Sequence, residues 1–146
     1  MSEIRDIWLQ AHNMIHSARQ IININLHPLG LSSAEGNVLL HLLTQGNEMG
    51  QEQLVEQLDV SKPAISRTLN SLEAKGYVTR QHDPDDKRAY RIRLTNKALE
   101  IGPTVEQIYN HIYTLAMQDI SQEELDYFVN LFGRMSENIA HEQAKN

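Results

Sequence analysis

Apolar side chains recur every three or four residues along the N-terminal stretch: Ile4, Ile7, Trp8, Ala11, Met14, Ile15, Ala18, Ile21 and Ile22. That period lines one broad stripe and predicts a helix over 3–26, ended by Pro28 and Gly30. A second helix follows, capped by Ser32 or Ser33 with Glu35 in its first turn, and it buries Val38, Leu39, Leu42 and Leu43. Gly46-Asn47 closes it. A short third helix at about 50–58 buries Leu54, Val55 and Leu58, and the Asp59-Val60 turn leads into a fourth, capped by Ser61 and stopped at Gly76. Ile65, Leu69 and Leu72 give this fourth helix a core face at i, i+4 and i+7, and Pro63 sits in its first turn, where a missing N–H costs nothing.

The period then drops to two. Residues 77–82 read as a strand, Asp83-Pro84-Asp85-Asp86-Lys87 as a turn, and 88–94 as a second strand with Tyr90, Ile92 and Leu94 on one side and Arg91 and Arg93 on the other. Thr95 caps a fifth helix whose apolar positions are Ala98, Ile101, Val105, Ile108, Ile112 and Leu115, a coiled-coil-like seam. Gly102-Pro103 predicts a kink or break near Ile101. Ser121-Gln122-Glu123-Glu124 is a capping box that opens a sixth helix bearing Leu125, Phe128, Phe132, Met135 and Ile139. The expected fold is mainly α with a small β-hairpin wing. The first, fifth and sixth helices carry more apolar surface than one small core absorbs, and a second copy of the chain is the simplest partner.

Charge sharpens this picture. Residues 61–95 hold eight of the 13 Lys and Arg but four of the 19 Asp and Glu, a local balance of +4 in a chain of net charge −6. A basic helix and hairpin inside an acidic protein is the footprint of a DNA-binding segment. The fourth helix turns Lys62, Pro63, Ser66, Arg67 and Asn70 away from its core face, short polar and cationic groups suited to base edges and phosphates in a major groove. Arg88 stands nearest the tip of the wing, where a narrow minor groove concentrates negative potential, and Asp86 is placed to orient its guanidinium.

The run Asp86-Lys87-Arg88-Ala89-Tyr90-Arg91-Ile92-Arg93-Leu94-Thr95 has the form D-x-R-x-x-x-x-x-L-T. Upstream stand Ser61-Lys62-Pro63-Ala64-Ile65-Ser66-Arg67 and Leu72-Glu73-Ala74-Lys75-Gly76-Tyr77-Val78-Thr79-Arg80, in matching order and spacing. Together they resemble the winged helix-turn-helix of the MarR family of bacterial transcriptional regulators, and the resemblance covers nearly the whole chain. It implies major-groove contacts from the helix beginning at Ser61 and minor-groove contact by the wing tip, Asp86 to Arg88, with Lys87 between. Arg80 occupies the family's arginine after the helix, which contacts phosphate or braces the wing. Residues 1–30 and 96–146 are then a dimerisation region, and 31–95 is the DNA-binding domain. The implied protein is a homodimeric repressor that binds a pseudo-palindromic operator in double-stranded DNA and is released by a small aromatic or phenolic effector.

Other chemistry is thinner. Trp8, His12, His16 and Arg19 share roughly one face of the first helix and suit an aromatic carboxylate, although core packing for Trp8 and solvation for Arg19 are the plainer readings. His12 and His16 at i, i+4 keep a metal-responsive regulator as an alternative, with His41 or His111 as further ligands. A winged-helix module that binds protein instead of DNA is a second alternative. No nucleophile–base pair, phosphate-cradling loop or paired-carboxylate motif points to an enzyme, and none points to a cofactor. Zero cysteines exclude a disulfide framework, a thiolate metal site and sensing by thiol oxidation. No apolar run approaches the roughly 18 residues of a membrane span, and the N-terminus lacks the pattern of a signal peptide, so a cytoplasmic location is expected.

Overall fold

The structure is a computed structural model and describes residues 2–146. Helix α1 (Ser2–Leu26) leads through a 3-10 turn (His27–Leu29) into α2 (Ser33–Thr44), β1 (Glu48–Gly50), α3 (Gln51–Leu58) and α4 (Lys62–Ala74). The wing is β2 (Val78–His82) and β3 (Tyr90–Leu94), followed by α5 (Asn96–Ala116) and α6 (Gln122–Ala144). The chain forms two compact units that divide after Ile112.

In the first unit the predicted helices form where their caps specify. Ser32 Oγ accepts from Glu35 N at 3.1 Å while the Glu35 carboxylate accepts from Ser32 N at 2.9 Å, a complete capping box on α2. Asp59 joins α3 to α4 in the left-handed region, at φ 50°, a conformation that Asp tolerates better than most side chains. Gly76 ends α4 at φ +83°, so that Tyr77 N reaches back to Leu72 O at 2.9 Å. Ile65, Leu69 and Leu72 are buried with Leu39, Leu42 and Leu54, which fixes the inner face of α4 and leaves the opposite face to solvent.

The sheet has three strands, not two. In the order β1-β3-β2, β3 pairs antiparallel with both neighbours, and Ile92 stands opposite Met49 on one side and Arg80 on the other. Two further expectations are corrected within this unit. First, α5 is not broken at Gly102-Pro103 but continues from Asn96 to Ala116. Ala98 before the proline and Val105 after it are both buried in the same core, and that packing outweighs the one backbone hydrogen bond that proline removes. Second, most of the α5 seam is spent inside the protomer: Ala98 and Val105 are buried, and Ile101, Ile108 and Ile112 pack against the core.

The second unit, Tyr113–Asn146, contains the end of α5 and all of α6. Ser121 caps α6 through the predicted box with Glu124. No residue of α6 is buried, and Phe132 is 58% exposed. Phe128 and Phe132 stack on each other with ring centroids 5.7 Å apart. A similar excess marks α1, where Ile22 and Leu26 are buried but Ile7, Trp8, Met14, Ile15 and Ile24 are exposed.

Candidate nucleic-acid interface

Helix α4 begins on Ser61, whose Oγ accepts from Ala64 N at 3.3 Å. From that end the positive pole of the helix and the exposed Lys62 and Pro63 face solvent, with Arg67 and Asn70 further along and Ser66 half-buried. The C-terminal end is clamped. Glu35, only 4% exposed, accepts from Ser71 Oγ at 2.9 Å and from Lys75 Nζ at 2.8 Å, and Lys75 also donates to Gly30 O at 2.7 Å. Burial pushes the Glu35 carboxyl up, but the bonds from Lys75, Ser32 and Ser71 outweigh it and hold the group below its ordinary value. From the other side, Lys97 Nζ donates to Lys75 O at 2.5 Å and lies 4.6 Å from the Tyr77 ring centre. The Thr95 hydroxyl sits 2.6 Å from Gly76 O.

The wing turn folds by short-range hydrogen bonds. Asp83 N donates to Ala89 O at 2.9 Å, and Asp83 Oδ1 accepts from Asp85 N at 2.9 Å. Asp86 Oδ1 accepts from the backbone N–H of Arg88 at 3.0 Å. The Asp86 carboxylate therefore shapes the backbone of the turn, and the expected bond to the Arg88 guanidinium is not made. A carboxylate two residues before an arginine in a tight turn reaches that residue's amide more readily than its distant guanidinium.

The cations of residues 61–95 separate into two sets. Lys75 pairs with Glu35, Arg91 and Arg93 pair with Glu48 at 2.9 and 2.8 Å, and Arg80 Nε lies 3.9 Å from Glu73 Oε1. The bonds from Arg93 and Arg91 hold the Glu48 carboxyl below its ordinary value. Lys62, Arg67, Lys87 and Arg88 have no carboxylate within 4.0 Å among the described residues. These four, on the first half of α4 and on the wing, carry the charge that remains available to a polyanion.

Lys62, Ser66, Arg80 and Arg88 come together around a cleft of about 330 Å³ between α4 and the wing. Ser61, Pro63, Arg67, Asn70, Asp86 and Lys87 do not line it. Sequence reasoning missed Gln51, Glu52 and Tyr90 on its walls. Gln51 Oε1 is buried there without a hydrogen-bond partner among the described residues. The signal for Tyr90 was its alternation with Ile92 and Leu94, which pointed inward, yet Tyr90 lies at the sheet's end and stacks on His82 with centroids 4.6 Å apart.

The first helix offers no comparable site. Trp8, His12, His16 and Arg19 are all exposed. Among the described residues no group of three or more His, Cys, Asp or Glu is placed to hold a metal ion, so His12 and His16 gain no third ligand. No helix among the described residues is long and apolar enough to cross a membrane.

A helix-turn-helix with a buried inner face, a two-stranded wing joined by β1, and cations without carboxylate partners among the described residues define a winged helix-turn-helix protein. The model of the MarR family matches residues 29–89, which run from the end of the 3-10 turn through the wing tip. A MarR transcriptional regulator from Methanosarcina mazei shares the fold with a TM-score of 0.83 and 24% identity, over 94% of this chain and 98% of that one. A solved MarR is 26% identical, with a TM-score of 0.76 over 94% of this chain and 92% of that chain. A mutant MarR from E. coli, solved in complex with operator DNA, matches with a TM-score of 0.77 and 22% identity, over 91% and 95% of the two chains. The chain therefore shares the fold of solved MarR regulators, and its residues 29–89 match the MarR family model.

Proposed function

We propose that this protein is a transcriptional regulator that binds double-stranded DNA as a homodimer, with α4 of each protomer in a major groove and the wing tip, Asp86 to Arg88, in the adjacent minor groove. The observation that carries the reading is the set of four cations without carboxylate partners, Lys62, Arg67, Lys87 and Arg88, on one helix end and one wing. The E. coli MarR mutant solved with operator DNA supports the same role for a chain of this fold. Residues 31–95 are the reading domain, and residues 1–30 and 96–146 pair the copies through the exposed apolar faces of α1 and α6. Two-fold pairing implies a pseudo-palindromic operator with half-sites about 10 bp apart or a multiple of that. The regulator acts in the cytoplasm as a repressor.

Release follows when a small aromatic acid binds where α1 of one copy meets the other, using Trp8, His12, His16 and Arg19. These groups stand free in one chain, and a second copy would enclose them. Such a ligand acts only through different affinities for two spacings of the reading helices.

Selection of duplexes from a randomised library tests the reading. Ser66→Ala and Arg67→Ala should change the selected sequence, whereas Lys62→Ala should weaken all sequences alike, as loss of a phosphate contact does. If the Ser66 and Arg67 variants select the parental sequence, α4 is not the reading element.

A further inference from the structure

We infer that Arg80 is a positioning residue that dictates which base Asn70 selects. This rests on the DNA-reading role proposed above. Arg80 Nη2 donates to Asn70 Oδ1. A guanidinium carries donors only, so the atom of the Asn70 amide that faces it is necessarily the oxygen. Chemistry thus fixes the flip of this amide.

The guanidinium itself is held from several sides. Its carbon lies 5.5 Å from the centre of the Tyr90 ring, within cation–π range, and Tyr90 is backed by His82. Glu73 flanks Arg80 Nε at 3.9 Å, and the Arg80 side chain is only 17% exposed. Arg80 is thus anchored to α4 and to both strands of the wing, and it has little freedom to swing onto a phosphate. Asn70 is exposed on the reading face, and among the described residues nothing accepts from its Nδ2.

An unconstrained asparagine favours adenine, because its oxygen accepts from N6 while its nitrogen donates to N7. In this chain one lone pair of the oxygen serves the Arg80 guanidinium, which holds the oxygen toward the wing and leaves its second lone pair poorly placed for adenine's amino group. What Asn70 offers is a pair of N–H donors. Guanine, with N7 and O6, and thymine, with O4, match them; adenine's N7 accepts one, but its amino donor then faces the second N–H, and cytosine presents its own amino donor.

The test uses full-length protein and a randomised duplex library, with wild type, Asn70→Ala, Arg80→Gln and Arg80→Lys carried through the same selection. The position that Asn70 reads is the one whose preference disappears in Asn70→Ala. Wild type should place guanine or thymine there. Arg80→Gln leaves the Asn70 amide free to turn, and adenine should rise about tenfold relative to guanine and thymine at that position. Arg80→Lys keeps a cationic donor and should keep the wild-type preference.

Adenine or cytosine at the wild-type position, or no position dependent on Asn70, overturns the inference even if Arg80→Gln fails to fold. So does an Arg80→Gln protein that binds every sequence more weakly with its preference intact, because that is the behaviour of a lost phosphate contact. A wild-type protein that enriches no sequence overturns instead the DNA-reading role, and the inference falls with it.

Discussion

Glu35 shows how much of helix α4 depends on one carboxylate. It completes the cap of α2 and binds Ser71 and Lys75 on α4, so it ties the start of one helix to the end of another. Because its native carboxyl is held below the ordinary value, its stabilisation is fully present above the ordinary glutamate range. That stabilisation is lost as pH falls through the native value. Glu35→Gln keeps the shape but loses the charge, and Lys75, which is 38% exposed, can turn to water. The variant should lose about 1–3 kcal/mol at neutral pH. Denaturation of both proteins across the acid range should show the gap narrowing as pH falls; a gap independent of pH would contradict the assignment. The sequence pointed to the local half of this role, the cap. The ties to Ser71 and Lys75 lie 36 and 40 residues away and leave no periodic trace. The same distance hid the pairing of Glu48 with Arg91 and Arg93, which removes two cations from the apparent basic patch.

At the scale of elements, those with a strong local signal were legible. α2, α4 and α6 begin at their capping residues, and the buried triad of α4 follows its i, i+4, i+7 spacing. β1 was not legible, because three residues carry too little alternation and the strand exists only through its pairing with β3. The unbroken α5 was missed for a related reason: local propensity at Pro103 yields to packing on both sides of it. Thr95 accounts for the end of the L-T pair in physical terms. Leu94 is buried, while Thr95 Oγ1 accepts from Ala98 N at 3.3 Å to cap α5 and also contacts the carbonyl that ends α4. Thr95→Ala should therefore cost about 1 kcal/mol, as loss of a helix cap does, with Thr95→Ser largely restoring it. Chemical denaturation measures both. Equal losses in the two variants would show that the hydroxyl is not the contributing group.

For the whole molecule, the proposed pairing of copies rests on the exposed apolar faces of α1 and α6. Ile108 is a poor probe of that pairing, since it packs against the protomer's own core. Phe132 is a better one, being exposed on α6 and stacked on Phe128. Phe132→Asp should halve the mass measured by light scattering while leaving the thermal unfolding of the winged core nearly unchanged. An intact dimer would remove α6 from the interface.

The central claim is that Lys62, Arg67, Lys87 and Arg88, the cations of residues 61–95 without a carboxylate partner among the described residues, form the DNA face, and salt dependence tests it most directly. Eight such cations in a dimer limit the slope of log K against log salt to about −7, and Arg88→Ala, which removes one from each protomer, should flatten it by about two units. A titration of a selected duplex from low to physiological salt, with wild type and Arg88→Ala in parallel, gives both numbers. A steeper wild-type slope would mean that cations now paired with Glu35, Glu48 or Glu73 also reach phosphate. An unchanged slope in Arg88→Ala would take the wing off the DNA and contradict the account.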